Sequence, residues 1–302
     1  MIQTTTTLMH IHVLDFSAFV PGPLAGKILA DAGAMVTKIE PPNGDPLTAP
    51  PFTSSDSPVY QWLNCNKVCQ RLNLKDSTAL QLLLQRIKNT DVIIESFRPG
   101  VMQRLGLSYE QLRRINTGLI YCAISGFGQA EAKPGHDLNF QAEAGLLGGQ
   151  ASAGRFPLPS ALLADIAAGS YPAVINILLA LQQRQQTGQG CYLDINMTAN
   201  LQPFRACTQF SNRSKNQTWN LLDGASPRYQ IYQTSDGGKV VVAALEEHFW
   251  HIFCQAIGLD ADKLDQDQAA LIDTIGQRIG SHDQHYWHMR LSHLGACISV
   301  VK

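Results

Sequence analysis

With 302 residues, of which 45% are hydrophobic and 16% charged, the chain is long enough for two domains and apolar enough to bury a core. A formal net charge of -1 excludes bulk attraction to nucleic acid or to an anionic membrane, so an anionic ligand must meet a local basic cluster. Seven scattered cysteines are typical of reduced thiols and favour a cytoplasmic protein. The Thr-rich start lacks a signal pattern, and no run of eighteen apolar residues predicts a membrane-spanning helix.

The beginning of the chain predicts a βαβ unit. Apolar runs over His12–Phe16 and Ala34–Glu40 are typical of buried strands, and Leu24–Ala32 has helical spacing. A loop with two prolines and Gly22 separates the first strand from the helix. Strand, helix and strand in this order indicate a parallel sheet. The polar, proline-spaced stretch up to Pro58 is predicted to be a long loop.

A turn that carries arginine follows the next predicted strand. Asp76–Lys88 has the cap and leucine spacing of a helix, Asp91–Glu95 is a buried strand, and Ser96–Gly100 comes directly after it. The carboxyl end of a parallel strand, opening onto a helix, is where open α/β sheets bind anions. Arg98 and Arg104 are therefore candidates for a phosphate clamp. The alternative is a capped turn with two solvated arginines.

The chain changes character near residue 199. Strands over Leu119–Ser125 and Cys191–Asn196, with an apolar helix over Asp165–Arg184, continue an α/β domain to residue 198. Beyond it, two strands around an Asp-Gly-Gly turn at 236–238 predict a hairpin and a smaller α+β domain, 199–302. The glycines form neither a dinucleotide fingerprint nor a P-loop, so neither a nicotinamide cofactor nor P-loop binding of ATP is expected.

Two apolar, glycine-bracketed segments, Gly135–Phe140 and Leu163–Asp165, carry an imidazole and a carboxylate. His136 and Asp165 in such surroundings favour an acid/base pair in a largely dry pocket. Taken singly, the histidine is equally compatible with a structural role and the aspartate with a helix N-cap. The cysteines and the histidines near the end lack the paired spacing of metal ligands, so no metal site is predicted.

The chain resembles the family III CoA transferases, which include the α-methylacyl-CoA racemases. The resemblance runs from about Met9 to Leu259 in the family's order. It is carried by HVLDFSAFVPGPLAGKILADAGAMVTKIEPPNGD, ESFRPGVMQRLGLSYEQL, GHDLNFQAEAGLLG, LLADIAAG and the turn TGQG. Within the family, GHDLNF, LLAD and SPRYQIYQTSDGGKVVVAALEEHF are more similar to the racemases than to the transferases.

The resemblance implies a fold, a ligand and a set of site residues. The fold is α/β, with a Rossmann-like open parallel sheet in the large domain, a smaller α+β domain and an interlocked homodimer. The substrates are CoA thioesters, and no cofactor is needed beyond their CoA moiety. Carried over by motif, the CoA-contacting positions are Lys38, Leu72, Lys75, Phe97, Arg98, Gly100 and Arg104. The two bases of the racemases correspond to His136 and Asp165, and the glutamate that supports the histidine corresponds to Glu246.

Two stretches depart from the family's pattern. Where the family reads roughly NR(G/N)K(R/S)S, this chain has Asn64 to Cys69 as NCNKVC, so cysteine replaces an arginine and CoA affinity is expected to fall. Near the end, HLGACISVVK resembles the family's D-A-C-V-x-P-V step with glycine for the aspartate and valine for the proline. The chain therefore lacks, on this reading, the segment that returns to the large domain.

The chemistry of a thioester fits the proposed pair. The carbonyl acidifies the α-hydrogen, and inversion requires a base on one face and an acid on the other. His136 and Asp165 suit these roles if the apolar surroundings raise the pKa of the aspartate. Glu246 would fix the tautomer of the imidazole.

We therefore predict a racemase of 2-methylacyl-CoA thioesters. One alternative is a CoA transferase in which Asp165 is the nucleophile and becomes an aspartyl-CoA thioester. The other is a shortened family member that binds CoA without catalysis.

Overall fold

The computed structural model describes residues 6–52, 57–147, 158–209, 224–264 and 267–302. The chain divides into two compact units, Met1–Phe204 and Arg205–Lys302. Each unit is described by itself.

The first unit is built on a six-stranded parallel sheet. The strands are β1 (His12–Asp15), β2 (Met35–Glu40), β3 (Val68–Arg71), β4 (Val92–Glu95), β5 (Ile120–Ser125) and β6 (Tyr192–Asn196). Their spatial order is β3-β2-β1-β4-β5-β6. The predicted α/β fold with a parallel sheet is confirmed. Because the chain moves outward on one side of β1 and then restarts with β4 on the other, the order reverses between these two strands.

Helices surround this sheet. Those before the middle of the unit are α1 (Pro21–Asp31), α2 (Pro58–Asn64), α3 (Ser77–Ile87), α4 (Val101–Arg104), α5 (Tyr109–Leu112) and α6 (Asp137–Glu143). After them come a π-helical turn (Ala164–Ser170), α7 (Tyr171–Thr187), α8 (Met197–Asn200) and α9 (Gln202–Gln209). Their ends follow local rules: proline occupies the first turn of α1, Asp76 accepts a hydrogen bond from the Ala79 N–H at the start of α3, and left-handed Gly188 ends α7.

Both faces of the sheet are buried, as is usual for parallel sheets. Successive side chains of a strand point to opposite faces. On β5, Cys122 packs with α1 and α7 in one apolar cluster, whereas its neighbour Tyr121 packs with α3, α4 and α5 in another. This explains why the strand reads as a continuous apolar run and was predictable.

The helical segment Ala164–Thr187 is long and apolar enough to cross a membrane by length and composition alone. Half of its most apolar window is buried within the protein, and the segment contacts α1 and β5. These contacts are those of a core helix. Pro172 lies in the first turn of α7 and not at a bend inside it, because the preceding turn is a separate π-helix.

The second unit has a three-stranded antiparallel sheet in the order β7-β8-β9. The strands are β7 (Tyr229–Gln233), β8 (Lys239–Ala243) and β9 (Ile298–Val301), and the helices are α10 (Glu247–Ala256), α11 (Gln268–Gly280) and α12 (Gln284–Leu291). The Asp-Gly-Gly turn joins β7 to β8 as a hairpin. Trp250, Phe253 and Trp287 contribute to a buried apolar core between sheet and helices.

Candidate active site

The candidate site lies at the carboxyl edge of the parallel sheet, where the strand order reverses between β1 and β4. Open α/β sheets bind ligands outside the carboxyl ends of the strands at this point. Two cavities open there, with volumes of about 520 Å³ and about 430 Å³. Both are lined by Ala18, from the loop after β1, and by Phe97, from the turn after β4. The two cavities are therefore neighbours, with Ala18 and Phe97 on the wall of each.

His136 and Asp165 line the larger cavity together. The first lies directly before α6, with its backbone extended, and the second lies in the π-helical turn. Asn139 accepts a hydrogen bond from the His136 N–H at 3.0 Å, which fixes the backbone at the start of α6. The imidazole is exposed, and the Phe19 ring meets it edge-on at 5.6 Å between ring centroids. The structure thus brings the two predicted bases to one cavity.

Asp137 joins the two segments. Its buried carboxylate accepts a hydrogen bond from the Asp165 N–H at 2.9 Å and another from the Gln141 side chain. One of these two partners, Asp165, lies 28 positions later in the chain. The only sequence signal for this role is its position beside His136, which does not identify a distant partner.

The π-helical turn is held closely against α1. The Ser170 hydroxyl shares its single hydrogen between the Pro21 carbonyl at 2.8 Å and the Asp165 carbonyl at 3.0 Å. A Cβ on Gly169 would lie 3.0 Å from the Cβ of Pro21, so only glycine allows this approach. Single π-helical turns occur frequently at functional sites, where they displace a side chain from the regular helical position.

The surroundings of Asp165 favour its protonated form. Burial, and after it the carboxylate charge of Asp137, raises the pKa of Asp165 to about 7. The carboxyl is therefore present in both protonation states near neutral pH. A group of this kind can either donate or accept a proton, which is the property that the sequence analysis required of it.

The backbone N–H groups at and after Asp165 already have acceptors within the protein. The Asp165 N–H donates to Asp137, and the Ile166 N–H donates to the Leu162 carbonyl at 3.0 Å. A donor committed to an internal acceptor is not free for a ligand, so these two N–H groups are not donors for an enolate oxygen.

Four of the predicted CoA-contacting residues line the smaller cavity: Lys38, Leu72, Lys75 and Phe97. Arg98 lines the larger cavity. Gly100 has a left-handed backbone, φ 81°, which turns the chain into α4, and Arg104 is the last residue of that helix. Neither of these two is among the residues that line the two cavities. Contact of all seven residues with CoA stays a prediction.

Lys38 is buried and its charge is already matched. The Nζ atom lies 3.0 Å from Asp45 and donates to the Ser17 carbonyl at 2.7 Å. Burial opposes its charge, but the carboxylates of Asp15 and Asp45 outweigh that effect and raise the pKa of Lys38. In this arrangement the ammonium holds the loop after β1 while it lines the smaller cavity.

A second buried lysine completes the support below the site. Lys67 Nζ lies 2.9 Å from Asp15 and donates to the carbonyl of Pro23 at 2.7 Å. Both charged side chains have 0% exposure. Asp15 in turn accepts hydrogen bonds from the Ser17 N–H and hydroxyl. Sequence reasoning treated the NCNKVC stretch only as a CoA-contacting motif and missed this ion pair, because nothing local connects the two residues.

Glu246 lies in the second unit, directly before α10, where its carbonyl accepts from the Trp250 N–H at 3.0 Å. Its neighbour Glu247 forms an ion pair with Arg228 at 2.9 Å. Support of His136 by Glu246 stays a prediction.

Metal binding has no structural support in the described part of the chain. Within residues 6–52, 57–147, 158–209, 224–264 and 267–302, no group of three or more His, Cys, Asp or Glu side chains is arranged to hold a metal ion. His285 and His288 lie on α12.

Glu95 is a buried carboxyl below the turn that separates the cavities. It accepts a hydrogen bond from the Phe97 N–H at 2.8 Å. Burial raises the pKa of Glu95 to about 7, Asp194 acts in the same direction, and the Phe97 N–H opposes both. The native state therefore keeps a proton on this group over a pH range in which the unfolded chain has lost it.

This linkage predicts that stability falls as pH rises from about 4.5 to 7, and that E95Q removes part of the fall. Below pH 4.5 both states are protonated, so Glu95 contributes no slope there. Between pH 4.5 and pH 7 the unfolding free energy of the wild type should fall by on the order of 3 kcal/mol more than that of E95Q. Urea unfolding at pH 5 and pH 8 measures it. The exposed variant E110Q is the control, and equal pH slopes in E95Q and the wild type would contradict the assignment.

Gly126 and Gly135 enclose the Phe140 ring of α6. A Cβ on Gly126 would overlap that ring, and one on Gly135 would lie 2.6 Å from its Cε1 atom. We expect G126A to lower the unfolding free energy by about 1–3 kcal/mol through overpacking. Adding F140L should restore part of the loss. Thermal or urea unfolding tests this against G118A, whose Cβ would meet its nearest neighbour at 3.5 Å. A G126A protein as stable as G118A would refute the packing argument.

Comparison with known proteins decides the family. The profile of CoA-transferase family III matches residues 8–302. The chain belongs to CoA-transferase family III. This confirms the resemblance found in the sequence. Members of the family act on acyl-CoA substrates, and its known members include both racemases and CoA transferases.

Relatives of both kinds are similar to this family member. The alpha-methylacyl-CoA racemase of Homo sapiens is 36% identical over 265 residues, which are 85% of this chain and 66% of the human protein. The acetyl-CoA:oxalate CoA-transferase of Acetobacter aceti is 32% identical over 82% of this chain and 65% of its own length. The chain thus spans slightly less than two thirds of the length of these curated relatives.

Solved structures agree with the fold. Rv3272 from M. tuberculosis superimposes with a TM-score of 0.81 at 27% identity, covering 97% of this chain and 83% of that protein. A CAIB/BAIF family protein from Brucella suis gives a TM-score of 0.79 at 26% identity, covering 99% of this chain and 84% of that protein. The mixed α/β architecture is therefore that of the family.

Proposed function

We propose that this family member racemises 2-methylacyl-CoA thioesters. The observation that carries the proposal is the placement of His136 and Asp165 in one cavity, with the pKa of Asp165 raised to about 7. A two-base racemase needs one group that is neutral and one that is protonated at the start of each turnover. A carboxyl with this pKa supplies the protonated group at neutral pH. The 36% identical human racemase supports the same assignment.

In the proposed reaction, one residue removes the α-proton and the other returns a proton to the opposite face of the planar enolate. His136 acts as the base for one enantiomer, with Asp165 as the acid, and the roles exchange for the other enantiomer. The thioester carbonyl carries the charge in the enolate. Arg98, on the wall of the same cavity, contributes positive charge that offsets the developing negative charge.

The smaller cavity would hold the remainder of the CoA moiety. It adjoins the larger cavity at Ala18 and Phe97, and Lys75 lies on its wall. A thioester at His136 would then extend past the turn after β4. An interlocked homodimer and a cytoplasmic location complete the proposal. The homodimer rests on the family resemblance, and the location rests on the cysteine pattern.

A CoA transferase is the second candidate, supported by relatives of that activity at 30–32% identity. Asp165 would then attack an acyl-CoA thioester to form a mixed anhydride and release the CoA thiolate. The thiolate would attack the aspartyl carbonyl of that anhydride, release the donor's carboxylate and give an aspartyl-CoA thioester. This route needs the ionised carboxylate, which is also the form that acts as the base in the racemase.

Incubation with a single enantiomer of a 2-methylacyl-CoA in heavy water tests the proposal. The expected result is loss of optical purity together with one deuterium at the α-carbon, without any acceptor acid. Retention of configuration and of the α-hydrogen would refute racemase activity. Trapping of an Asp165 adduct by hydroxylamine during turnover with an acceptor acid would establish the transferase instead. Absence of both reactions, with a thermal shift on adding acetyl-CoA, would leave a non-catalytic CoA-binding protein.

A further inference from the structure

Phe19 has a backbone conformation that is unusual for a bulky side chain. Its φ angle is +63°, in the left-handed region. Such residues cost about 1–3 kcal/mol and persist only where their surroundings determine the conformation. Glycine would adopt the same angles without strain. The presence of phenylalanine here therefore calls for a function of the ring.

The neighbouring residues account for the conformation. The Ala18 N–H donates to the Ser96 hydroxyl at 3.0 Å, which ties the loop after β1 to the turn after β4. On the other side, the Val20 carbonyl accepts from the Leu24 N–H at 2.9 Å at the start of α1. With the chain held on both sides, the backbone of Phe19 has little freedom and the direction of its side chain is set.

The ring is directed to the imidazole of His136. The two ring centroids are 5.6 Å apart and the planes are inclined at 80°, a favourable edge-to-face arrangement. Phe52 contacts the same ring, also at 5.6 Å and edge-on. Phe19 also packs on a small apolar cluster that contains Leu24 and Leu63. The ring is thus braced by these neighbours while it lines the larger cavity beside His136.

We infer that Phe19 is a positioning residue whose braced ring holds the His136 imidazole in the orientation that faces the cavity shared with Asp165. The effect of Phe19 on the reaction rate rests on the proposed function. The contact between the two rings rests on the geometry alone. The imidazole is exposed, and besides the capping box with Asn139 at the start of α6 the Phe19 ring is the contact that restricts its orientation toward the cavity. A base that leaves its reactive orientation loses rate, and a displacement of about 1 Å can cost about 100-fold.

The catalytic test compares three substitutions of Phe19. F19Y keeps the ring and should keep most of the rate of α-deuterium exchange. F19L keeps bulk without the ring, and F19G removes the ring and relieves the backbone strain. We expect F19L and F19G to lower kcat by up to about 100-fold while KM for the thioester changes little. A KM rise with unchanged kcat would overturn the inference, because it would place Phe19 in substrate binding.

A second readout does not depend on activity. Diethyl pyrocarbonate modifies accessible imidazoles, and peptide mass spectrometry measures the rate at His136 relative to the exposed His285. We expect the ratio to rise in F19L and F19G and to stay unchanged in F19Y. F127L is the matched control, because among the aromatic pairs of the described residues the Phe127 ring packs on Phe140 at 5.3 Å and not on the imidazole.

The two readouts separate the possible failures. If the wild type exchanges no α-proton, the proposed function fails, and the modification rates alone decide whether Phe19 holds the imidazole. Equal modification ratios in F19G, F19L and the wild type would overturn the inference whatever the activity. Urea unfolding of F19A and F19G adds a check on strain, since a left-handed backbone predicts that F19G is at least as stable as F19A. A clearly less stable F19G would contradict the strain argument.

Discussion

Replacement of Asp165 by asparagine is expected to lower the rate of racemisation by about 10²–10⁴-fold. Asparagine keeps the size of the side chain and leaves the backbone N–H free to donate to Asp137, so the local structure should survive. It cannot transfer a proton to or from the α-carbon. The thermal shift caused by acetyl-CoA should therefore persist while inversion is lost. Inversion is followed by chiral analysis of a thioester that starts as a single enantiomer.

The pH dependence sharpens this result. Because burial and Asp137 raise the pKa of Asp165 to about 7, the protonated form dominates below pH 7 and the ionised form above it. The direction that uses Asp165 as the acid should fall above pH 7, and the direction that uses it as the base should fall below pH 7. D273N, at an exposed position of α11, is the control. Full racemase activity in D165N would exclude Asp165 as a base or acid.

Replacement of Asp15 by asparagine is expected to lower the unfolding free energy by about 3–5 kcal/mol. The substitution leaves the Lys67 ammonium buried at 0% exposure without its counter-charge. Lys38 loses a stabilising carboxylate as well. The loop after β1, which contributes Ala18 to both cavities, is tied to Asp15 through Ser17. Loss of the pair should therefore weaken binding of acetyl-CoA along with stability.

Urea unfolding measures the effect, with D31N as the matched control. Asp31 pairs with Lys27 at 2.7 Å, but its own side chain is 43% exposed, so water compensates for much of the loss and about 1 kcal/mol or less is expected. The double variant D15N/K67M should lose less unfolding free energy than the sum of the losses in D15N and in K67M. The reason is that the double variant leaves neither charge of the pair buried alone. A D15N effect no larger than that of D31N would show that the buried pair contributes no special stability.

Acid sensitivity provides a further check on Asp15. Burial opposes ionisation of this carboxyl, but the charges of Lys67 and Lys38 outweigh burial and lower its pKa below 3.8. Its contribution to stability is therefore complete above about pH 3.8 and is lost as pH falls through the lower native value. Glu95 acts in the opposite sense between pH 4.5 and 7, because its pKa is raised. The two groups can be distinguished by the pH at which each variant departs from the wild type.

The local hydrophobic pattern was enough to predict a strand wherever all of its side chains are buried. β5 is buried on both faces and reads as a continuous apolar run, which is why it was predicted. β3, by contrast, has four exposed side chains and no apolar period, so nothing in its sequence distinguishes it from a loop. It becomes a strand because β2 offers it a free parallel edge. Likewise, β9 forms only because β8 provides an antiparallel partner from far along the chain.

The types of residue at the site could be found in the sequence, and their motifs indicated the family. The sequence could not show which of these residues contact one another. Asp137 reaches the backbone of Asp165, and Lys67 reaches Asp15 52 positions away, because parallel crossovers bring distant segments to one edge of the sheet. The pKa of Asp165 depends on the same assembly, since burial and a neighbouring carboxylate both come from tertiary contacts. Residue identity is local, whereas desolvation, charge pairing and ring contacts such as that of Phe19 with His136 exist only once the chain is folded.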